Sequence, residues 1–315
     1  MRIAILDDYQ SVALSIVDWS GLPGDSEIVA FTDHVADPSQ LIARLASFDI
    51  VCRMRERTPF PRVVLEGLPR LKLIAATGKR NADIDLVAAR SLGITVCGTG
   101  SFPPPTIDVA WWLVLSLFRG LVYEHNSVRS GGWQKKLGRT VWGKTLGVVG
   151  LGSLGSGVAR IALASGMQVL AWSPNLTPER AGAVGATAAS LHELLTRSDA
   201  VTLHMPLVEK TRNLLGAAEL AVLKPGALLI NTSRAQLVDE SALIAGLRDG
   251  RIGGFGVDVF AEEPLPLDHP YRHLPNVVTT PHIGYVTEEG YRVYLGETVE
   301  NVLAFIEGKP VRVLN

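Results

Sequence analysis

Cysteine is scarce in this chain. Its 315 residues include two, Cys52 and Cys97, which stand far apart at the ends of apolar runs. That spacing excludes a CxxC redox pair and a zinc knuckle, so we expect two buried thiols in a reducing compartment and no metal site. A chain of this length does not need disulfides for stability, because it is long enough for two domains with a core each.

An excess of charge of one sign is lacking as well. Thirty Lys and Arg residues face 31 Asp and Glu residues, which leaves a net charge of −1, so no overall field attracts a nucleic acid or an anionic membrane. The longest apolar stretch, residues 109–118, is shorter than the roughly 20 residues of a membrane span. The N-terminal sequence MRIAILDDYQ lacks the order of a secretory signal. We therefore expect a cytoplasmic protein that binds neither nucleic acid nor a membrane.

Short β-branched runs alternate with amphipathic segments along the chain. The hydrophobic fraction of 47% and the charged fraction of 19% describe a compact globular protein. Apolar strands joined by helices predict parallel sheets, because a parallel connection needs a crossover of about a dozen residues. We expect strands at 3–6, 28–31, 50–54, 71–76 and 94–97, and a second series at 145–149, 168–172, 200–204, 227–231, 254–258 and 277–279.

Three consecutive prolines, residues 103–105, mark a change of domain, because proline continues neither a helix nor a central strand. The helical segment that follows, 106–119, is apolar around nearly its whole circumference, and Trp111 and Trp112 point to different sides of it. We expect this helix to be buried, either between domains or against a second subunit. A second long helix is predicted at 288–306.

A glycine-rich turn gives the sharpest local signal. Residues 150–155 read GLGSLG, directly after the apolar run TLGVV and before a helical pattern at 153–164. In this context Gly150 permits a tight turn, Gly152 lets the backbone approach a pyrophosphate, and Gly155 lets the helix pack closely on the strand. The pattern predicts a dinucleotide-binding turn whose helix N-terminus faces the phosphates.

The same fingerprint predicts an acidic residue about 20 positions further on, which binds the adenosine ribose. Here the strand MQVLAWS ends in Ser173. No carboxylate repels a 2′-phosphate at this position, and the nearest cation that could attract one is Arg180. The choice between NAD and NADP is therefore open.

Three more segments place ionic groups where strands end, which is where open α/β sheets bind ligands. They read NTSRAQLVDE at 231–240, GVDVFAEEPLP at 256–266 and TTPHIGY at 279–285. Together with the glycine turn they resemble the D-isomer-specific 2-hydroxyacid dehydrogenase family, and the resemblance extends over essentially the whole chain. The separations of 29 residues from Arg234 to Glu263 and 19 residues from Glu263 to His282 are also similar to those of the family.

The resemblance implies reduction of a 2-oxo acid to a D-2-hydroxy acid by NADH or NADPH, and the chemistry of three residues agrees with it. The planar guanidinium of Arg234 matches the geometry of a substrate carboxylate. His282 can donate the proton to the carbonyl oxygen, because its charge changes near neutral pH. Glu263 would hold the imidazole and favour its protonated form. Asp258, by resemblance, binds the nicotinamide carboxamide.

The resemblance also implies a set of binding residues. Those for the cofactor are Gly150, Gly152, Ser153, Leu154, Gly155, Ser173, His204, Pro206, Thr232, Asp258 and Gly284. Those for the substrate, besides Arg234, are Arg53, Thr77 and Gly78.

Two departures from the family concern the pocket. The run Lys79-Arg80-Asn81 replaces the usual Gly-x-Asp run, and Tyr285 stands where a small residue is more usual. The first departure leaves the substrate open, and the second predicts a differently shaped nicotinamide end of the pocket. The run of Arg53, Arg55 and Arg57 either recognises a second anionic group or is in large part solvated. The roles of Arg55, Arg57, Lys79 and Arg80 stay open.

We expect two doubly wound α/β domains with parallel sheets. A Rossmann dinucleotide domain, 101–285, is inserted into a flavodoxin-like substrate domain made of 1–100 and 286–315. The resemblance implies a substrate cleft that closes before hydride transfer, and a homodimer. Three alternatives stay open: a nucleotide-sensing co-repressor that uses the fold for binding, a phosphite-type dehydrogenase, and an enzyme acting on another carbonyl. The particular 2-hydroxy acid and the physiological direction are also open.

Overall fold

The computed structural model describes residues 1–79 and 81–315 and divides into two compact units. Unit 1 consists of Met1–Phe102 and Val286–Asn315, and unit 2 of Pro103–Tyr285. Unit 2 is therefore an insertion in the sequence of unit 1, with its limits beside the expected 101 and 285. Arg80, whose role the sequence leaves open, lies outside the described residues.

Unit 1 contains a five-stranded parallel sheet. Its strands are β1 (Arg2–Ile5), β2 (Glu27–Ala30), β3 (Ile50–Arg53), β4 (Leu73–Ala76) and β5 (Thr95–Cys97), and its first helices are α1 (Pro38–Leu45), α2 (Arg62–Glu66) and α3 (Leu86–Ser91). The strand order β2-β1-β3-β4-β5 is the flavodoxin-like order. Every residue of β3 and β4 is buried, as expected for a parallel sheet with both faces covered.

Unit 2 contains a seven-stranded parallel sheet. Its strands are β6 (Thr145–Val149), β7 (Gln168–Trp172), β8 (Thr187–Ala188), β9 (Ala200–Leu203), β10 (Ala227–Asn231), β11 (Ile252–Val257) and β12 (Val277–Thr279). Its helices are α4 (Pro104–Arg119), α5 (Leu121–Arg129), α6 (Ser153–Ala164), α7 (Pro178–Gly182), α8 (Leu191–Arg197), α9 (Ala217–Ala221) and α10 (Glu240–Arg248). The order β12-β11-β10-β9-β6-β7-β8 extends the Rossmann order by one strand, so the expected two doubly wound domains are confirmed.

The core of unit 2 lies on both faces of this sheet. Successive residues of a strand point to opposite faces, so Leu228 and Ile230 belong to one hydrophobic cluster and Leu229 belongs to the other. The helix α4 packs against α6, β10 and β11. Two of the three prolines lie in its first turn, where proline N–H groups are not required, so α4 begins two residues earlier than predicted.

Unit 1 is completed by the last part of the chain. The helix α11 (Glu288–Ile306) has the predicted bounds and packs against β4. The buried Asn301 amide donates to the Gly98 carbonyl oxygen at 2.8 Å. Beyond the helix, Leu314 N donates to Val96 O at 2.8 Å and the Asn315 side chain accepts from Val96 N at 2.9 Å, so the tail covers the edge of β5.

In the two described ranges, no single helix has the length and apolarity to cross a membrane, although the bent pair α4 and α5 passes that test together.

Candidate functional site

Three adjacent strands of unit 2 end side by side. The register pairs Asn231 of β10 with Val257 of β11, and Val257 with Thr279 of β12. Because parallel strands share a carboxyl edge, the loops that follow them leave from one edge of the sheet. These loops carry Arg234, the segment Asp258–Glu263, and His282. The sheet therefore brings the three predicted catalytic residues to the same edge.

His282 and Glu263 form a direct pair. The Nδ1 of His282 lies 2.7 Å from Oε2 of Glu263, and the two side chains are 20% and 30% exposed. The other oxygen, Oε1 of Glu263, accepts from Phe260 N at 2.9 Å, which fixes the carboxylate. Within the described parts of the chain, Nε2 of His282 makes no hydrogen bond. This nitrogen is therefore available to an external acceptor.

Asp258 holds the backbone turn that carries His282. Its carboxylate accepts from Thr280 Oγ1 at 2.6 Å, from Ile283 N at 2.9 Å and from Gly284 N at 2.8 Å. Asp258 is 1% exposed, and burial raises the pKa of its carboxyl group above the ordinary value. His282 has φ of +52°, in the left-handed region, so the hydrogen bonds to Asp258 hold a conformation that is costly for a residue with a side chain.

Arg234 leaves β10 in an extended conformation. Asn231 fixes this loop, because its side-chain amide donates to Arg234 O at 2.8 Å and its oxygen accepts from Ser233 N at 3.0 Å. The Ser233 hydroxyl donates to Leu203 O at 2.8 Å, which ties the loop to the end of β9. The Arg234 guanidinium donates to Ser233 O at 2.6 Å through Nη1. The backbone of Arg234 is thus positioned by the buried polar side chains of Asn231 and Ser233.

The glycine turn lies between β6 and α6. Gly150 has φ of +101°, and a Cβ there would lie 2.6 Å from the His204 carbonyl oxygen. A Cβ at Gly155 would collide with the Gly150 carbonyl oxygen, whereas a Cβ at Gly152 would meet nothing within 4 Å. Gly152 therefore faces open space at the start of α6. The first N–H groups of this helix, those of Ser153 and Leu154, have no partner within the helix, which suits a phosphate.

The neighbouring strand ends supply further groups for a dinucleotide. Ser173 Oγ accepts from Leu151 N at 2.9 Å, so its hydroxyl proton remains to be donated. Among the described residues, the buried Thr232 hydroxyl has no hydrogen-bond partner. His204 Nε2 lies 3.0 Å from Thr202 Oγ1, and its buried Nδ1 has no partner in the same part of the chain. Burial lowers the pKa of His204 to about 4, so this imidazole is neutral at pH 7. Open space at Gly152 and two unpartnered polar atoms fit a bound dinucleotide.

A model of a known family matches residues 111–284 of the chain, and its description is "D-isomer specific 2-hydroxyacid dehydrogenase, NAD binding domain". The chain belongs to this family. It is an NAD(P)-dependent oxidoreductase of the D-2-hydroxyacid dehydrogenase class, and its expected resemblance to that family is confirmed.

The dehydrogenase is similar to several named proteins over most of its length. It is 38% identical to the glycerate dehydrogenase of Methylorubrum extorquens, with 88% of each chain covered. It is 39% identical to the glyoxylate reductase of Thermococcus litoralis, with 78% of this chain and 77% of that one covered. A solved phosphoglycerate oxidoreductase from Vibrio cholerae has a TM-score of 0.93 at 36% identity, covering 98% of this chain and 99% of the other.

The predicted substrate residues of the dehydrogenase in unit 1 are engaged internally. Arg53 is wholly buried, and its Nη2 pairs with Asp83 at 2.5 Å. Its role in substrate binding stays a prediction. The N–H of Gly78 donates to Thr99 Oγ1 at 2.7 Å. The Thr77 hydroxyl accepts from Arg55 N at 2.7 Å. Unit 1 therefore holds these residues by its own hydrogen bonds.

Two other unit 1 cations differ in their surroundings. Arg57 donates to Asp7 O at 2.6 Å, and its guanidinium lies over the Tyr9 ring at 4.6 Å. Lys79 is exposed.

Pro206, a predicted cofactor residue of unit 2, accepts from Thr211 Oγ1 at 2.7 Å through its carbonyl oxygen.

The sequence missed several groups that hold the histidine turn. Besides Thr280, Thr106 of α4 donates from Oγ1 to Gly284 O at 2.5 Å. The Tyr285 ring contacts the His282 ring edge to face, with centroids 5.4 Å apart. The position of Tyr285 directly after His-Ile-Gly was the available signal for that contact, whereas Thr106 lies too far away in the chain to be found from a pattern.

Proposed function

We propose that the dehydrogenase reduces a small 2-oxo acid of the glyoxylate or hydroxypyruvate type to the D-2-hydroxy acid, with His282 as the proton donor. The observation that carries this assignment is the 2.7 Å pair between His282 and Glu263, which engages Nδ1 and, as far as residues 1–79 and 81–315 show, leaves Nε2 to donate. The names of its relatives, a glycerate dehydrogenase and glyoxylate reductases, support the substrate type.

In the proposed mechanism each residue acts on one part of the substrate. Arg234 binds the carboxylate through its planar fork of donors and so orients the neighbouring carbonyl. The protonated His282 donates from Nε2 to the carbonyl oxygen as negative charge develops there. Glu263 holds the imidazole through the hydrogen bond at Nδ1 and so orients Nε2 toward the substrate. When bound, the nicotinamide supplies the hydride.

The residues that would hold the dinucleotide are those of the glycine turn and the strand ends beside it. The backbone N–H groups of Ser153 and Leu154 would bind the pyrophosphate. Ser173 would contact the adenosine ribose, and the unpartnered Thr232 hydroxyl and His204 Nδ1 offer further polar contacts. Asp258 has one carboxylate oxygen, Oδ2, that accepts a single hydrogen bond, so it can also accept from a carboxamide.

The test is initial-rate oxidation of NADH and NADPH over a panel of 2-oxo acids, with wild type, His282→Ala and His192→Ala. His192 is an exposed residue of α8 and serves as the matched control. We expect turnover by wild type and the control, and a loss of at least about 100-fold in His282→Ala. Equal turnover in His282→Ala contradicts the assignment. Dinucleotide binding without turnover favours the co-repressor alternative, and turnover of phosphite favours the phosphite-type alternative.

We also propose that the dehydrogenase forms a homodimer through unit 2. Support comes from apolar side chains in residues 133–142: Trp133 is 72% exposed, Leu137 98% and Trp142 73%. Three large apolar side chains this exposed within one short segment suit a subunit contact, and two-fold dimers are the commonest assemblies. Sedimentation of wild type, Leu137→Asp and the control Leu267→Asp is the test. We expect wild type and Leu267→Asp to sediment as dimers and Leu137→Asp to sediment as a monomer. A monomeric wild type contradicts the proposal.

A further inference from the structure

The imidazole of His282 has more freedom than its backbone. The backbone turn is fixed by Asp258, and Nδ1 is fixed by Glu263 at 2.7 Å. Rotation of a histidine ring about its terminal torsion, however, occupies a broad range. One hydrogen bond at Nδ1 leaves the ring able to tilt about that bond, and a tilt moves Nε2 away from the substrate oxygen. A second contact on the ring is needed to define its plane.

Tyr285 provides such a contact. Its ring lies at 80° to the imidazole with centroids 5.4 Å apart, which is the edge-to-face arrangement that aromatic pairs favour. Tyr285 is 6% exposed, so little room exists for its ring to move aside. Its position is also fixed through the preceding residue, because Gly284 donates to Asp258 through N and accepts from Thr106 through O.

We propose that Tyr285 is a positioning residue that fixes the plane of the His282 imidazole and so aims Nε2 at the substrate oxygen. This inference rests on the proposed role of His282. It accounts for a large aromatic residue at a position where the family more usually has a small one. Glu263 fixes one atom of the imidazole, Tyr285 fixes its plane, and Asp258 fixes the backbone beneath it.

Two substitutions separate the ring contact from simple space filling. Tyr285→Phe keeps the ring, and Tyr285→Leu keeps apolar bulk without a ring. We expect kcat of Tyr285→Leu to fall about 3- to 10-fold, the range of an edge-to-face pair, with KM for the 2-oxo acid changed less than about twofold. Tyr285→Phe should retain at least about half of the wild-type kcat. Should Tyr285→Leu fail to fold, Tyr285→Met takes its place.

The second readout does not depend on turnover. In protein labelled with ¹³C at histidine Cε1, the His282 signal is identified by its loss in His282→Asn. We expect the ring current of Tyr285 to shift this signal in wild type and Tyr285→Phe, and the signal to move toward its random-coil position in Tyr285→Leu.

Three results overturn the proposal: equal kcat in all variants, equal loss in Tyr285→Phe and Tyr285→Leu, or a rise in KM alone. An unchanged His282 signal in Tyr285→Leu also overturns it. If wild type turns over no 2-oxo acid, the proposed function fails by itself, and the histidine signal still decides whether Tyr285 holds the ring.

Discussion

Replacement of Glu263 by Gln tests how much the negative charge beside His282 contributes to catalysis. Glutamine has nearly the same shape and keeps an oxygen that can accept from His282 Nδ1. The substitution removes the charge and keeps the hydrogen bond to His282, but the glutamine NH2 group cannot accept from Phe260 N, so that second hydrogen bond is lost as well. Glu262, the exposed neighbour in the chain, provides the matched control Glu262→Gln.

The size of the effect follows from the geometry of the pair. A separation of 2.7 Å between Nδ1 and Oε2 is that of a charge-assisted hydrogen bond, which is about twice as strong as a neutral one. The side chains are 20% and 30% exposed, so water screens part of the attraction. Hydrogen bonds to charged groups contribute about 1.5–3 kcal/mol, and because of the screening we take the lower end, about 1.5 kcal/mol. A loss of that size in transition-state stabilisation corresponds to about a tenfold loss in reductive kcat.

The assay is steady-state reduction of a 2-oxo acid. Glu262→Gln should match wild type in rate. A Glu263→Gln enzyme with wild-type kcat would refute the reasoning, because the charge would then contribute nothing to proton donation.

Three further outcomes follow from the same structure. Arg234→Lys should lose about 30- to 150-fold in kcat/KM, because an ammonium group lacks the planar fork that matches a carboxylate, and steady-state kinetics measure it. Ser173→Asp should weaken NADP⁺ binding at least about tenfold more than NAD⁺ binding, because a carboxylate repels the 2′-phosphate, and calorimetry measures both affinities. His204 has a folded-state pKa of about 4, below its ordinary value of 6.5, so the unfolded chain binds its proton first as pH falls. The free energy of unfolding should therefore drop by roughly 2 kcal/mol between pH 7.5 and 5 in urea titrations, and less in His204→Asn.

The sequence predicts the Rossmann unit well because its signals are local. The helix at 153–164 and the strands at 145–149 and 168–172 have their predicted bounds, since a glycine turn between apolar runs defines both sides. The strand Thr187–Ala188 escapes prediction because two residues carry no periodicity. The predicted start of α4 is two residues too late. The three prolines mark a change of domain in the sequence, but two of them also lie in the first turn of the helix.

In the candidate site, too, some features could be predicted from the sequence and others could not. The spacing of Glu263 and His282 identifies the pair that the structure brings to 2.7 Å. The pairing of Arg53 with Asp83 could not be predicted, because the sequence does not reveal which residue a later loop places against a strand. The hydrogen bonds of Asp258 to the histidine turn could not be predicted either, because they depend on the path of the backbone after β12.

The contribution of the chain's last segment to unit 1 has a consequence for biosynthesis. Residues 1–102 are translated before unit 2, yet their sheet lacks α11 and the tail that covers β5 until residues 286–315 have been translated. Unit 2 is continuous in sequence and can fold meanwhile. For the time needed to make those intervening residues, the nascent first segment exposes apolar surface and an unpaired strand edge, which makes it a target for chaperones.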